Sequence, residues 1–272
     1  MRSIRLFVGL ILIAATLHGG EMPVWQTDWD TAFRIAKEQH RLVFVDYTAG
    51  RCGECHDAEM ITFKSPAIME HLSDFVLLRV DVDFSPHSHH LAEVPAYVVY
   101  DPAERERFQI VGKGAGSHLT AVNLEEIRQA APAFLRAAEL LDAKQDLEAA
   151  FLVANTYSRL KMASRARGAY ADAHKIADQR GDSAAAQIAD AQSAFTFARE
   201  GNAPKAIKLL KALNEKPVNR DNEAILWLTL GHAYDLAKDT RSARESYTRA
   251  QSLAPRDSRT YAEASESIAR LH

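Results

Sequence analysis

Cys52 and Cys55 are the only cysteines among 272 residues, and two positions separate them. A pair this close closes a very small loop, so it adds little chain-entropy stabilisation. Its use is chemical. The surrounding stretch is Val45-Asp46-Tyr47-Thr48-Ala49-Gly50-Arg51-Cys52-Gly53-Glu54-Cys55-His56. The apolar run Leu42–Val45 reads as a buried strand, Gly50 to Gly53 break it, and a helix is expected to run on to Met60. Cys52 then stands at a helix N-terminus, where unpaired N–H groups and the helix dipole stabilise a thiolate. Cys55 lies one turn further in, placed to attack a mixed disulfide on Cys52. Disulfide exchange needs that pairing of a low-pKa attacker and a resolving thiol.

Other chemistries use the same residue types. A zinc site needs two further ligands, and the nearest histidines are His56, His71, His87, His89 and His90. Cys52-x-x-Cys55-His56 also fits the attachment motif of c-type haem. His87-Ser88-His89-His90, after Pro86, is either a metal-binding loop or a solvated one. Gly112-Lys113-Gly114-Ala115-Gly116 lacks the spacing of a phosphate loop and reads as a flexible connector.

The elements that must hold the pair follow from pattern. Thr27 or Asp28 caps a helix carrying Ala32, Phe33, Ile35 and Ala36. Pro66 to His71 is a helical turn or two. Phe75 to Val82 is a second strand. Ala96 to Tyr100 is a third, ending at Asp101-Pro102, and Phe108 to Val111 pairs with it as a hairpin. Asn123 to Leu141 is a long amphipathic helix. This order predicts an α/β unit, a small sheet with helices on both faces.

Residues from about 25 to 140 resemble the thioredoxin-like fold, in particular the periplasmic thioredoxin-like domains of thiol:disulfide interchange proteins. The resemblance is carried by Val45-Asp46 through Cys55, by Val94-Pro95, and by Thr62-Phe63 followed by Phe75–Asp81. It implies that Asp46, six positions before Cys52, is a buried carboxylate exchanging the resolving thiol's proton. It implies that Pro95 is a cis-proline facing the cysteines and shaping the substrate-docking edge. It implies no cofactor beyond the redox-active Cys52–Cys55 disulfide, and no metal. Two positions depart from the family pattern: Arg51 replaces the usual tryptophan, and Ala96 replaces the usual threonine. Arg51, Gly53, Glu54 and His56 are the expected tuning residues. Arg51 favours a Cys52 thiolate and Glu54 opposes it, while His56 is a solvated first-turn neighbour.

The rest of the chain has another composition. Residues 1–141 hold 12 valines and residues 142–272 hold two, whereas the second stretch holds 29 alanines. Valine favours the pleated sheet and alanine the helix, so the second part is expected to be all-α. Trp227-x-x-Leu230-Gly231-x-x-Tyr234, then Ala243, Tyr247, Ala250 and Pro255, resembles the tetratricopeptide repeat. Weaker copies carry Ala154, Tyr157, Ala166, Tyr170 and Ala173, and then Ala194, Phe197, Ala206 and Leu210. Three repeats starting near residues 147, 187 and 224, closed by a capping helix over 258–271, make an α-solenoid. Small residues let paired helices approach, and Tyr157, Phe197 and Tyr234 are expected to fill the core between them. Such a stack offers a concave face to a protein partner that the sequence does not name.

Residues 1–20 read as a secretory signal. Arg2 and Arg5 give the positive end, Leu6–Leu17 the apolar stretch, and Gly19-Gly20 the small residues near a cleavage point. A thioredoxin-like domain over 21–141 and a repeat domain over 142–272 would follow it. The expected location is the periplasm or outside the cell, where a disulfide persists. Membrane attachment is expected only if the signal stays uncleaved, since no apolar run reaches the roughly 18 residues of a membrane span. The net charge of −3 gives no electrostatic support to nucleic-acid binding. The expected function is an exported thiol–disulfide oxidoreductase, reductase- or isomerase-like, acting on protein disulfides and thiols. The alternative is a non-catalytic adaptor whose repeats bind a partner beside a degenerate thioredoxin-like module.

Overall fold

In the computed structural model, residues 24–271 are described, apart from 89, 90, 92 and 113. The expected signal segment, His89, His90 and Lys113 lie outside the described residues. Five strands form one mixed sheet: β1 (Trp25–Gln26), β2 (Val43–Thr48), β3 (Val76–Asp81), β4 (Ala96–Tyr100) and β5 (Glu106–Val111). Their order is β1-β3-β2-β4-β5. β1 and β2 run parallel to β3, while β4 runs antiparallel to β2 and β5 antiparallel to β4.

Alternation along the strands decides what each face buries. Val43, Val45 and Tyr47 share one face with Leu78, Val80 and Val98, packed on Ala32, Phe33 and Ala36 of helix α1 (Trp29–Gln39). Asp28 caps α1, its carboxylate accepting from Thr31 N at 2.8 Å. Phe44, Leu77, Tyr97 and Val99 fill the opposite face. It is covered by α2 (Gly53–Met60), α3 (Pro66–Leu72) and, after the short helix α4 (Ala115–His118), by α5 (Ala121–Asp142). Asp46 lies two residues after Phe44 and so belongs to this second face.

The expected α/β unit is present, with three differences. The short edge strand β1 was not foreseen; two residues carry no periodicity to read. β5 begins at Glu106, two residues before the apolar run. Ala115 and Gly116 belong to helix α4 (Ala115–His118) rather than to a loose connector. Gly112 and Gly114 take left-handed φ values of +89° and +81°, turning the chain from β5 into α4 and burying Ala115.

Residues 143–271 are helical: α6 (Asp146–Arg159), α7 (Ala163–Gln179), α8 (Ser183–Arg199), α9 (Ala203–Asn214), α10 (Arg220–Leu236), α11 (Thr240–Leu253) and α12 (Arg259–Arg270). Each packs on the next as a helical solenoid. Side-chain caps start several of them. Asp182 accepts from Ala185 N and Asn219 from Asn222 N, both at 2.9 Å, and such a cap contributes about 1 kcal/mol. These caps set α8 and α10 off at Ser183 and Arg220, four residues before the starts read from the repeat register. Ala154, Ala166, Ala194, Ala206 and Ala243 are all buried, as close helix approach requires. Phe197 and Tyr234, expected as core, are only half-buried. Cations cover their exposed sides: Lys205 and Arg167 stand 3.7 Å and 4.6 Å from the Phe197 ring centre, and Lys211 stands 5.6 Å from that of Tyr234.

The sheet and the helical stack share one buried cluster. It runs from Phe44 and Tyr97 through Leu124, Ile127 and Phe134 to Val153, Tyr157 and Tyr170. The Tyr157 hydroxyl donates to the Arg107 carbonyl at 2.9 Å, and its ring lies 5.6 Å from that of Phe134. Arg107 is itself buried, its Nε 2.9 Å from Oδ2 of buried Asp101.

Candidate redox site

β2 delivers the chain to the site. After Thr48 the backbone turns, Cys52 N donating to Ala49 O at 2.9 Å, and α2 starts at Gly53. Cys52 is the N-cap residue, and its sulfur accepts from Cys55 N at 3.1 Å. A thiolate there would take that same hydrogen bond. Cys52 and Cys55 are joined as a disulfide, their Cα atoms 5.3 Å apart. Cys52 is partly exposed, whereas Cys55 is buried. One sulfur meets solvent and the other faces the protein interior, an asymmetry that separates attacker from resolver.

Val94-Pro95 is a cis peptide bond, and Pro95 is buried at the head of β4. Val94 and Glu93 join Arg51, Cys52, Gly53 and Glu54 around an open cavity of about 430 Å³. The residues around Cys52 and the proline turn therefore line one groove.

The two opposing tuning charges of the sequence are each engaged. Arg51 is highly exposed and pairs with Asp83, in the segment after β3. The Glu54 carboxylate accepts from Gly114 N at 2.8 Å, which fastens the turn before α4 to the CxxC helix. Arg51 therefore stands beside Cys52 as one half of an ion pair with Asp83. His56 is exposed on α2. His87 stacks on Trp29, ring centroids 4.3 Å apart.

Asp46 is 4% exposed. Its Oδ2 accepts from Arg79 Nε at 3.0 Å, and Arg79 Nη1 donates to Glu59 of α2 at 2.8 Å. The Arg79 guanidinium also lies 4.7 Å above the Trp25 ring. Burial pushes the Asp46 carboxyl up to about 6, against the downward pull of Arg79. A carboxyl with a pKa there exchanges protons near neutral pH. Arg79, Glu59, Asp83 and Tyr97 were not read as site residues. Arg79 did leave a signal, since a lone arginine inside the apolar run Phe75–Val82 needs a buried partner.

Residues 24–102 match the family model described as thioredoxin-like. The match spans β1 through β4 and includes Asp46, both cysteines and Pro95. No curated protein matches the chain.

Proposed function

We propose that this chain, whose residues 24–102 form a thioredoxin-like domain, is an exported thiol–disulfide oxidoreductase acting on proteins. The observation that carries the proposal is the joined pair at the start of α2. It has one sulfur toward solvent, one toward the core, and on the sheet face under α2 a buried carboxyl whose pKa is about 6. In the reduced protein the Cys52 thiolate attacks a substrate disulfide. The substrate S–S bond breaks, one substrate thiolate leaves, and a mixed disulfide forms. Cys55 then gives its proton to Asp46 and attacks the Cys52 sulfur. The second substrate thiolate leaves, and two electrons have passed from the pair to the substrate. A donor dithiol restores the pair by the reverse sequence.

Pro95 shapes the edge on which the substrate segment lies, and Arg51, Gly53, Glu54 and His56 set the poise of Cys52. No cofactor beyond the disulfide takes part. The proposal reads residues 21–141 as the redox unit and 142–272 as tetratricopeptide-type repeats with a capping helix, recruiting a protein partner. Residues 1–20 serve as the export signal to the periplasm or the cell exterior, and the chain meets a membrane only if they stay attached.

A Cys55→Ser chain cannot resolve a mixed disulfide, so it should accumulate thiol-sensitive adducts on Cys52 in the exported fraction. The wild type should reduce insulin with dithiothreitol. Absence of both adducts and insulin reduction overturns the redox reading.

A further inference from the structure

A pair of sulfurs that exchanges bonds with a protein must receive a segment of that protein's chain. The cavity beside Cys52 is where such a segment meets the exposed sulfur. It holds about 430 Å³ and is lined by Arg51, Cys52, Gly53, Glu54, Glu93 and Val94. Charge is what can tell one incoming segment from another there.

Arg51 is the single cation among these described lining residues, and Asp83 pairs with it. The Glu54 carboxylate accepts from Gly114 N at 2.8 Å, a bond that leaves its negative charge in place. Glu93 differs from both. It is exposed, and among the described residues no hydrogen bond or ion pair engages its carboxylate. Backbone geometry keeps it at the rim. Glu93 stands two residues before the cis-proline Pro95, whose carbonyl accepts from Gly112 N at 3.0 Å. A Cβ on Gly112 would run into the Glu93 carboxylate. Gly112, at φ +89°, therefore leaves that carboxylate its place over the turn.

We propose that Glu93 is a specificity-determining residue of the redox groove, favouring substrate segments that carry a lysine or arginine beside the reacting cysteine. This rests on the redox reading above and names its substrate class. A cationic side chain next to the substrate sulfur meets Glu93 and Glu54 as Cys52 is approached, whereas an acidic one is repelled by both. An exposed carboxylate at a rim acts mainly on the rate of encounter and on its salt dependence.

The test uses disulfide-linked dimers of two short peptides, identical except for Lys or Glu beside the cysteine. Each reaction oxidises one Cys52–Cys55 dithiol of the reduced full chain and releases two peptide thiols. The second-order rate constant is measured for both peptides, and their ratio is taken within each protein. A change in Cys52 reactivity or in folded fraction then cancels. In the wild type the lysine peptide should react about fivefold faster at low salt, and the ratio should approach one in about 0.5 M sodium chloride. Glu93→Gln should lower the low-salt ratio about threefold, the scale of one exposed charge pair, and Glu93→Arg should lower it further. A wild type without preference for the lysine peptide overturns the proposal and leaves the redox reading standing. An unchanged ratio in Glu93→Gln does the same. A wild type that reacts with neither peptide overturns both.

Discussion

Arg79 Nε donates to Asp46 Oδ2 across 3.0 Å, and the two residues are register partners on adjacent parallel strands. The arginine does not cancel the cost of burying the carboxylate. Desolvation outweighs the ion pair, and the carboxyl rests near pKa 6 rather than at its ordinary 3.8. Arg79 divides its guanidinium between Asp46 and Glu59 and covers Trp25. It therefore ties strand β3, helix α2 and edge strand β1 to one buried acid.

An acid with a raised folded pKa binds more protons folded than unfolded. Its contribution is complete below about pH 4 and is lost as pH rises through about 6. Asp46→Asn removes that dependence. Urea unfolding of the two proteins should show the wild type losing about 1–3 kcal/mol relative to the variant between pH 4 and pH 7. A difference that stays constant across this range would refute the assignment to Asp46.

The Arg51–Asp83 pair makes opposite predictions for its two members. Asp83→Asn frees the guanidinium, so the Cys52 thiol in the reduced protein should titrate lower. Arg51→Gln removes the cation and should raise it. Each shift should be a few tenths of a unit, about the scale of an exposed pair. The pH dependence of Cys52 alkylation measures both, and shifts of the same sign would exclude the pair as the tuning device.

Tyr157 bridges the two compositionally distinct parts of the chain. Tyr157→Phe deletes the hydrogen bond to the Arg107 carbonyl and should cost about 1 kcal/mol. Tyr157→Ala also empties the space against Phe134 and should cost about 3–5 kcal/mol. Because one buried cluster spans both parts, fluorescence and helical circular dichroism should give a single transition in the wild type. Two resolved transitions in wild-type protein would contradict that coupling.

Gly231 lies inside α10, where alanine ordinarily gains about 1 kcal/mol over glycine. Here a Cβ would stand 2.5 Å from the ring of buried Tyr247. Gly231→Ala should therefore destabilise, by about 1–3 kcal/mol for an overpacked core. Thermal melts decide the sign, and a stabilised variant would mean that α10 and α11 are farther apart than described.

What the amino-acid order carried unaided is what depends on neighbours along the chain. Strand alternation around Val43–Val45, the break at Gly50–Gly53 and the helix after it place Cys52 at an N-terminus and Cys55 one turn inside. The swap from valine to alanine near residue 142 announces the helical part, and buried Ala154, Ala206 and Ala243 follow from close helix contact. The thioredoxin-like resemblance added Asp46 and Pro95, and the structure places the first in the core and the second on a cis bond beside the groove.

Tertiary structure decided the partners. Asp46 is 33 residues from Arg79 and 51 from Tyr97 in the chain, and only strand order and register set them side by side. Arg51 and Glu54 stand as opposite charges beside the thiol in the sequence, and the fold adds a partner to each, Asp83 from the segment after β3 and the N–H of Gly114 from the turn before α4. Composition suggested a boundary near residue 142, yet the buried cluster crosses it, because α5 covers the sheet with one side and packs on α6 with another. Local propensity is written into a few consecutive residues, whereas the charge and solvation a side chain feels depend on what the rest of the chain brings within a few ångströms of it.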